Sequence, residues 1–463
     1  MNQSFVGQAR GLAAEIRRRD NFLVVSNYDA DGLSAAGVMC TALKRLGKKF
    51  STKILKQLYE EEIQKIAGSA ENYIFIDFGS GQLSLLKKII KENFFVIDHH
   101  QPEKEEWPYH LNPLLFGVDG GNEISAAGTA YMVARELGDN KDLAALAVVG
   151  ALGDMQEQAT GLIGHNKEIL QEGISANVLS KKSDLKLYGR ISRPLVQFLL
   201  FSSNPIIPGL TANEKACAEF ILGAGIDLKE GEAWRNYESL SVDEKKRLAT
   251  ALILHMNRNN VPDWKIQEMF GEVYTLEKEQ KQSPLRDAKE FGTVLNACGR
   301  WGHHNVALSL CMGDRGEAYH LALGLLAEHR KQLREGIELM KERGVEEMKS
   351  FYFFDAGNRI KDSIIGIVAG MLYGSGAISE NKPIIALTHN PDGSVKASGR
   401  ATGELIRRGL NLGKAFKELQ ARWGVGTEGG GHKIAAGIKF PAEKKQEFLK
   451  EMEEILGKQI QRT

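Results

Sequence analysis

The sequence predicts an α/β protein: a parallel N-terminal sheet covered by helices, a helical insertion, a long connecting helix and a smaller α/β C-terminal domain. Three observations predict it. From residue 1 to about 175, short apolar runs alternate with helical patterns, the rhythm of a buried parallel sheet whose crossovers are helices. Between about 180 and 285 that rhythm stops and the chain becomes charged and helical. Strand signals return after about 349, behind one long helical stretch. At 463 residues the chain is too long for one ordinary core. The expected divisions are 1–180, an insertion over 181–285, a return to the first domain with the connecting helix over 286–348, and a second domain over 349–463.

The elements follow in order. "FLVVSN" (22–27), "FSTKIL" (50–55), "YIFIDF" (73–78) and "FFVID" (94–98) read as buried strands. "GLSAAGVMCTALKRLG" (32–47) and "GQLSLLKKIIKE" (81–92) read as the helices between them, and 124–138 and 141–154 as further packed helices. "RDAKEFGTVLNACGRWG" (286–302) is apolar again after the insertion, and residues 316–344 read as one bridging helix. The last part mixes strands, such as "FYFFDA" and "PIIALTHN", with helices and is glycine-rich near its end.

Composition sets limits on function. With 43% hydrophobic and 26% charged residues the chain is globular. Lys+Arg 60 against Asp+Glu 59 is no polycation, so a nucleic-acid site has to be a local patch. Cys40, Cys217, Cys298 and Cys311 have no CxxC spacing, which argues against a zinc ribbon or a disulfide framework. No apolar run reaches ~18 residues and no signal peptide is recognised, so a cytoplasmic protein without membrane contact is expected.

The chemistry gathers at strand ends. The first strand runs into "SNYDADG", with Asp29 and Asp31; "YIFID" ends at Asp77; "FFVID" ends at Asp98, followed by His99 and His100. In a parallel sheet these ends share one edge, where sites form. Asp154, in "VVGALGDMQ", ends an apolar stretch that can reach the same edge. A single Asp at a strand end is ordinarily a turn or N-cap residue; this whole set is not explained by capping. So many carboxylates repel one another unless a cation is present. A mostly carboxylate set with one or two imidazoles suits Mn²⁺ or Mg²⁺, and two such ions activate water and clamp a phosphoryl group. Neighbours in an extended chain point to opposite faces, so one of His99 and His100 can ligate metal while the other faces substrate or orients a ligand.

"YDADG", "IDFG", "IDHH" and "GALGD", in that order, resemble the four motifs of the DHH phosphoesterase family. "EGGGHKIAAG" (428–437) looks like the signature of the DHH-associated substrate-binding domain, and 286–300 with 362–372 resemble the RecJ branch, especially archaeal RecJ-like nucleases. The resemblance implies that Asp29, Asp31, Asp77, His99 and Asp154 ligate metal, that His100 lies near the scissile phosphate and that Asp98 supports the histidines. One departure stands out: relatives commonly carry His two or four residues before the first acid, where this chain has Asn27 and Val25. One ion is then expected to bind more weakly or keep an extra water.

In the C-terminal part, Gly429, Gly430, Gly431 and His432 read as a phosphate loop, because glycine lets backbone N–H groups approach an anion. Arg400, Arg407, Arg408, Lys414, Lys417 and Arg422 make the surrounding stretch basic, as a nucleic-acid groove would be. The resemblance has Arg400 and His432 gripping phosphates. A second histidine pair, His303–His304, and Trp301 beside it are read as structural. The leading functional expectation is a metal-dependent exonuclease releasing mononucleotides from an end of single-stranded DNA or RNA, with a place in DNA repair or replication. The alternatives are a phosphodiesterase for short oligoribonucleotides or cyclic dinucleotides, and a replication scaffold; for the scaffold the resemblance names the GINS complex as partner.

Overall fold

The computed structural model describes residues 2–202, 205–374, 377–424 and 427–460. It divides into two compact units, Met1–Phe198 with Ile221–Leu326, and Leu199–Phe220 with Ala327–Thr463.

In the first unit α1 (Gln3–Arg18) precedes β1 (Phe22–Asn27), α2 (Ala30–Arg45), β2 (Phe50–Leu55), α3 (Glu60–Ile66), β3 (Asn72–Ile76), α4 (Leu83–Ile89), β4 (Phe94–Ile97) and β5 (His110–Leu111). All five strands are parallel, in the order β2-β1-β3-β4-β5. Period-two alternation sorts the side chains to two cores. Phe22, Val24, Ile74, Ile76, Phe95 and Ile97 face one core with α1 and α2. Leu23, Val25, Tyr73, Phe75, Phe94 and Val96 face another with α3 and α4. Because both faces are covered, the strands read as continuous apolar runs. Connections leave β1 in opposite directions, so the carboxyl ends of β1 and β3 flank the crevice where such sheets bind ligands.

Then come α5 (Ala126–Leu137), α6 (Ala144–Gly153) and α7 (Gly164–Ser175). The segment expected to be wholly helical contains α8 (Leu195–Leu200), α9 (Glu214–Gly223), α10 (Val242–Arg258) and α11 (Asp263–Gln267), with two short strands, β7 (Lys229–Glu230) and β8 (Ala233–Trp234). It is also bracketed by an antiparallel pair, β6 (Leu179–Leu185) with β9 (Phe270–Leu276), in register Leu179↔Leu276 to Leu185↔Phe270. "LSKKSDL" hid its strand character because only its ends are buried. After it, α12 (Ala288–Arg300) and α13 (His304–Cys311) pack into the first core through Phe291, Val294, Leu295 and Leu310. The bridging helix is α14 (Glu317–Arg343).

The second unit holds β10 (Glu346–Glu347), β11 (Tyr352–Asp355), α15 (Ile365–Gly374), β12 (Ile384–His389), β13 (Ser394–Arg400), α16 (Gly403–Arg407), α17 (Leu412–Trp423), β14 (Glu428–Gly431), β15 (Ala435–Pro441) and α18 (Lys445–Ile460). Its sheet runs β10-β11-β12-β13-β15-β14, with only β11 and β12 parallel. Alternation again makes two cores: Phe351, Phe353, Ile385 and Leu387 meet α17 and α18, while Tyr352, Phe354, Ile384 and Ala386 meet α15. All four cysteines are free and buried. Among the described residues no helix is long and apolar enough to cross a membrane.

Candidate metal centre at the strand tips

Each acid is placed by a different local device. Asp29 is the N-cap of α2, its carboxylate accepting the Gly32 N–H at 3.0 Å. Gly32 has to be glycine: a Cβ there would lie 2.6 Å from the Asn27 carbonyl oxygen. Asp31, 2% exposed, turns to the start of α5 and accepts the N–H groups of Ala126 (2.8 Å) and Ala127 (2.9 Å). Asp77 follows β3 in a left-handed conformation, φ +64, uncommon for a residue with a side chain and typical of functional sites. Asp154 caps the C-terminal end of α6 and accepts from Gln156 Nε2 at 2.9 Å.

Asp98 plays a different part. It is fully buried and accepts from the N–H groups of Ser80 (3.0 Å), His99 (2.8 Å) and His100 (3.2 Å) and from His100 Nδ1 (2.9 Å). Burial works against its charge, but the His100 bond and charge, the His99 charge and the Ser80 N–H outweigh it and hold the carboxyl below its usual range. His100 is pushed up to about 9: burial opposes its charge, and Asp98 then Asp77 overcome it. Behind this pair, Asn112 donates to the His100 carbonyl and to Ser80 Oγ, both at 2.8 Å, and Ser80 Oγ meets His110 Nε2 at 2.8 Å.

His99 is the centre of the cluster. Its Nδ1 lies 2.6 Å from the Gly120 carbonyl, which fixes the proton there and leaves Nε2 with the lone pair for a metal. Nε2 lies 3.3 Å from Asp77 and 3.8 Å from Asp31. Two overlapping groups have ligand atoms close enough to share an ion: Asp77, His99 and His100, and Asp31, His99 and Asp154. Burial raises the carboxyls of Asp29, Asp31, Asp77 and Asp154 above the ordinary range, and neighbouring carboxylates add to this in all four. Oxygen-rich donors that repel one another when ionised fit a hard divalent cation. Asp29 stands outside both groups, its carboxylate turned to Gly32. His100, expected only near substrate, joins the first group. Val25 is buried in the core, and Asn27 Oδ1 accepts from the Tyr28 N–H at 2.6 Å, a bond to its own chain.

Sequence reasoning passed over α12 as a source of site residues. Asn296 Oδ1 accepts the Ala30 N–H at 3.0 Å, bracing the turn that carries Asp29 and Asp31. A Cβ on Gly299 would sit 1.9 Å from the Tyr28 carbonyl oxygen, so α12 meets that turn only with glycine there. Arg300, one helical turn past Asn296, has its charge disfavoured by burial and favoured by Tyr28 and Asp29. The i, i+4 spacing of Asn296 and Arg300 in "LNACGR" was the available signal. His303 occupies the N-cap position of α13 without a side-chain cap bond, and the His304 ring meets Tyr28 edge-on at 6.5 Å.

In the second unit the glycine run is not a loop. Glu428–Gly431 form edge strand β14, and the turn is made by His432 to Ile434. The glycines serve close packing: φ at Gly431 is +134, and a Cβ on Gly429 would lie 2.9 Å from the Phe416 carbonyl of α17. Arg400 ends β13 opposite Ala435, and Ala401 N–H donates to the Ile434 carbonyl, so Arg400 and the exposed His432 share one end of the sheet. Arg407 pairs with Glu404, and Arg422 with Glu418 and Glu451, which narrows the expected basic groove.

Family models match three stretches: the DHH family N-terminal domain over residues 21–151, the DHH-CID domain over 187–270 and the DHHA1 domain over 349–458. An uncharacterised protein of Methanocaldococcus jannaschii is 33% identical over 450 residues, covering 95% of this chain and 94% of its own. The single-stranded-DNA-specific exonuclease RecJ of Escherichia coli is 27% identical over 181 residues, 36% of this chain and 29% of RecJ. Among solved structures, CDC45 from Entamoeba histolytica superposes with a TM-score of 0.67 at 14% identity, covering 98% of this chain and 99% of that one. RecJ from Thermus thermophilus with Mn²⁺ superposes at 0.61 and 18% identity, covering 98% of this chain and 55% of that one. These two likenesses show a shared fold. The full-length relative and the three domain matches, on a chain whose strand-tip acids and Asp-His-His meet at one sheet edge, place it in the DHH family.

Proposed function

We propose that this chain is a metal-dependent phosphodiesterase that works from an end of single-stranded nucleic acid and releases mononucleotides. The observation that carries the reading is the crowding of Asp31, Asp77 and Asp154 around the His99 imidazole, whose Nδ1 is held by the Gly120 carbonyl and whose Nε2 faces Asp77 and Asp31. Asp31, Asp77, His99 and Asp154 would hold Mn²⁺ or Mg²⁺ there, and such ions would supply Lewis acidity toward a phosphoryl oxygen and make an attacking water easier to deprotonate. The chain's own groups do the rest. Asp98 holds His100 through Nδ1, which leaves its Nε2 to complete the Asp77–His99 ligand group or to meet a phosphate oxygen. Arg300, on the helix that packs against the Asp29 turn, adds a positive charge whose ionised form Tyr28 and Asp29 favour. Arg400 and His432, in the second unit, bind nucleic-acid phosphates.

The names of the E. coli and T. thermophilus relatives support a nuclease, and the domain set supports a phosphoesterase. The scaffold reading, with GINS as partner, is favoured by no residue described here: Asp29, Asp31, Asp77, His99 and Asp154 are all retained. The test is the initial rate on end-labelled single-stranded DNA and RNA against length, at fixed Mn²⁺ and salt. Rates should rise from two to about ten nucleotides, as added phosphates reach added cations. Fastest cleavage of dinucleotides or cyclic dinucleotides would move the assignment to a small-substrate enzyme, and no hydrolysis at all to a scaffold.

A further inference from the structure

The turn after α6 closes in a form that favours glycine, yet it carries methionine. Gln156 N–H donates to the Ala151 carbonyl (2.9 Å) and Met155 N–H to the Leu152 carbonyl (3.2 Å). This paired closure ends helices whose next residue is left-handed, and that residue is usually glycine. Met155 has φ +55, where an L side chain is disfavoured. No core burial compensates: Met155 is 76% exposed, the most exposed large apolar side chain among the described residues. Its neighbours are fixed on both sides. Asp154 belongs to the metal centre, and the fully buried Gln156 donates from Nε2 to Asp154 (2.9 Å) and to the Gly120 carbonyl (2.8 Å) while its Oε1 accepts from Asn166 (2.7 Å). Met155 is thus a flexible apolar arm on a rigid mount, one residue from a metal ligand.

We propose that Met155 packs against the nucleobase of a nucleotide flanking the scissile phosphate, and so favours base-bearing over base-free phosphodiesters. The proposal rests on the phosphodiesterase reading above. A metal centre of carboxylates and imidazoles recognises phosphate and leaves the base without a partner. A thioether is polarisable, adapts its rotamer and contacts aromatic faces favourably. Every base has such a face, so the contact is tolerant of sequence. An unbranched apolar chain at a backbone position that disfavours it is accounted for by this use.

The experiment compares wild type with Met155→Gly on a short single strand and on the same strand with an abasic residue on either side of the scissile bond, in Mn²⁺. The readouts are kcat/KM and the melting temperature. Wild type should prefer the base-bearing strand by about threefold to tenfold, the range of a sulfur–aromatic contact. Met155→Gly should lose that preference without melting lower, because the turn accepts glycine. Met155→Leu, which keeps an apolar arm, should retain most of it. Equal losses on both strands, or an unchanged ratio, would overturn the proposal while leaving the phosphodiesterase reading intact. Failure of the wild type to cut either strand would overturn both.

Discussion

Replacing Asp77 by Asn should separate the metal from the fold. Asp77 sits at φ +64, a conformation that Asn adopts at least as readily as Asp, so the backbone should not object. Burial, with the charges of Asp29 and Asp31 adding to it, holds its carboxyl well above the ordinary range. Replacing the carboxyl by an amide removes the cost of burying an acid beside Asp29 and Asp31, and the metal-free variant should melt no lower than metal-free wild type. With Mn²⁺ the order should reverse. Asp77 belongs to only one of the two ligand groups, since Asp31, His99 and Asp154 form the other without it. The variant should therefore lose one of two ions. An ion at 100 times its Kd stabilises the native state by about 2.7 kcal/mol. The metal-bearing unit, residues 1–198 with 221–326, is at the large end of the domain scale, where 1 kcal/mol shifts the melting temperature by roughly 2 °C. Each ion should then raise it by about 5 °C, twice over in wild type and once in the variant. Scanning calorimetry with and without Mn²⁺, beside metal analysis by plasma emission, measures both quantities. Hydrolysis should fall by roughly 10³-fold or more, since metal stabilisation of developing charge is worth several kcal/mol. Two ions retained with near-normal hydrolysis would refute the ligand assignment; a metal-free variant less stable than wild type would refute the repulsion argument.

Three further outcomes are expected. The His100 imidazole, raised to about 9, should titrate by NMR well above an ordinary histidine in the metal-free protein, and Asp98→Asn should return its midpoint toward 6.5. By linkage, the stability drawn from this raised histidine is complete below pH 6.5 and lost as pH rises through about 9, so Asp98→Asn should flatten the melting temperature across that window; an unchanged slope would refute the pairing. Arg300→Gln should lower kcat/KM by about 10²–10³-fold with metal content unchanged, and Arg300→Lys should not rescue it, because a point charge does not replace a planar fork. Arg400→Ala and His432→Ala should weaken single-strand binding without loss of metal, Arg400→Ala lowering the salt slope by about one; binding like wild type across a salt series would remove Arg400 from the phosphate path.

What the sequence disclosed and what it hid divide along a physical line. The N-terminal strands were legible because both faces of the sheet are covered, so each strand is an apolar run, and an acid closing such a run stands out. Asp29, Asp77 and Asp98 are all of that kind. β6 was illegible because its middle residues are exposed lysines and serine, and β14 because three glycines carry no strand propensity; what makes them strands is the partner beside them. Site residues on α12 were hidden for the same reason at longer range. Asn296 bonds to Ala30 across 266 positions, and nothing within either segment announces the other. Local sequence reports burial and turns; it does not report which helix end is packed against which strand tip. Yet the two kinds of information meet at Gly299 and Gly32. Each stands where any side chain would strike the backbone around Asp29, one from α12 and one from α2. The approach of α12 to the first acid motif is therefore written in the sequence as a glycine one residue before Arg300, and the missing Cβ is what lets the helix that carries Asn296 and Arg300 close on the turn that carries Asp29.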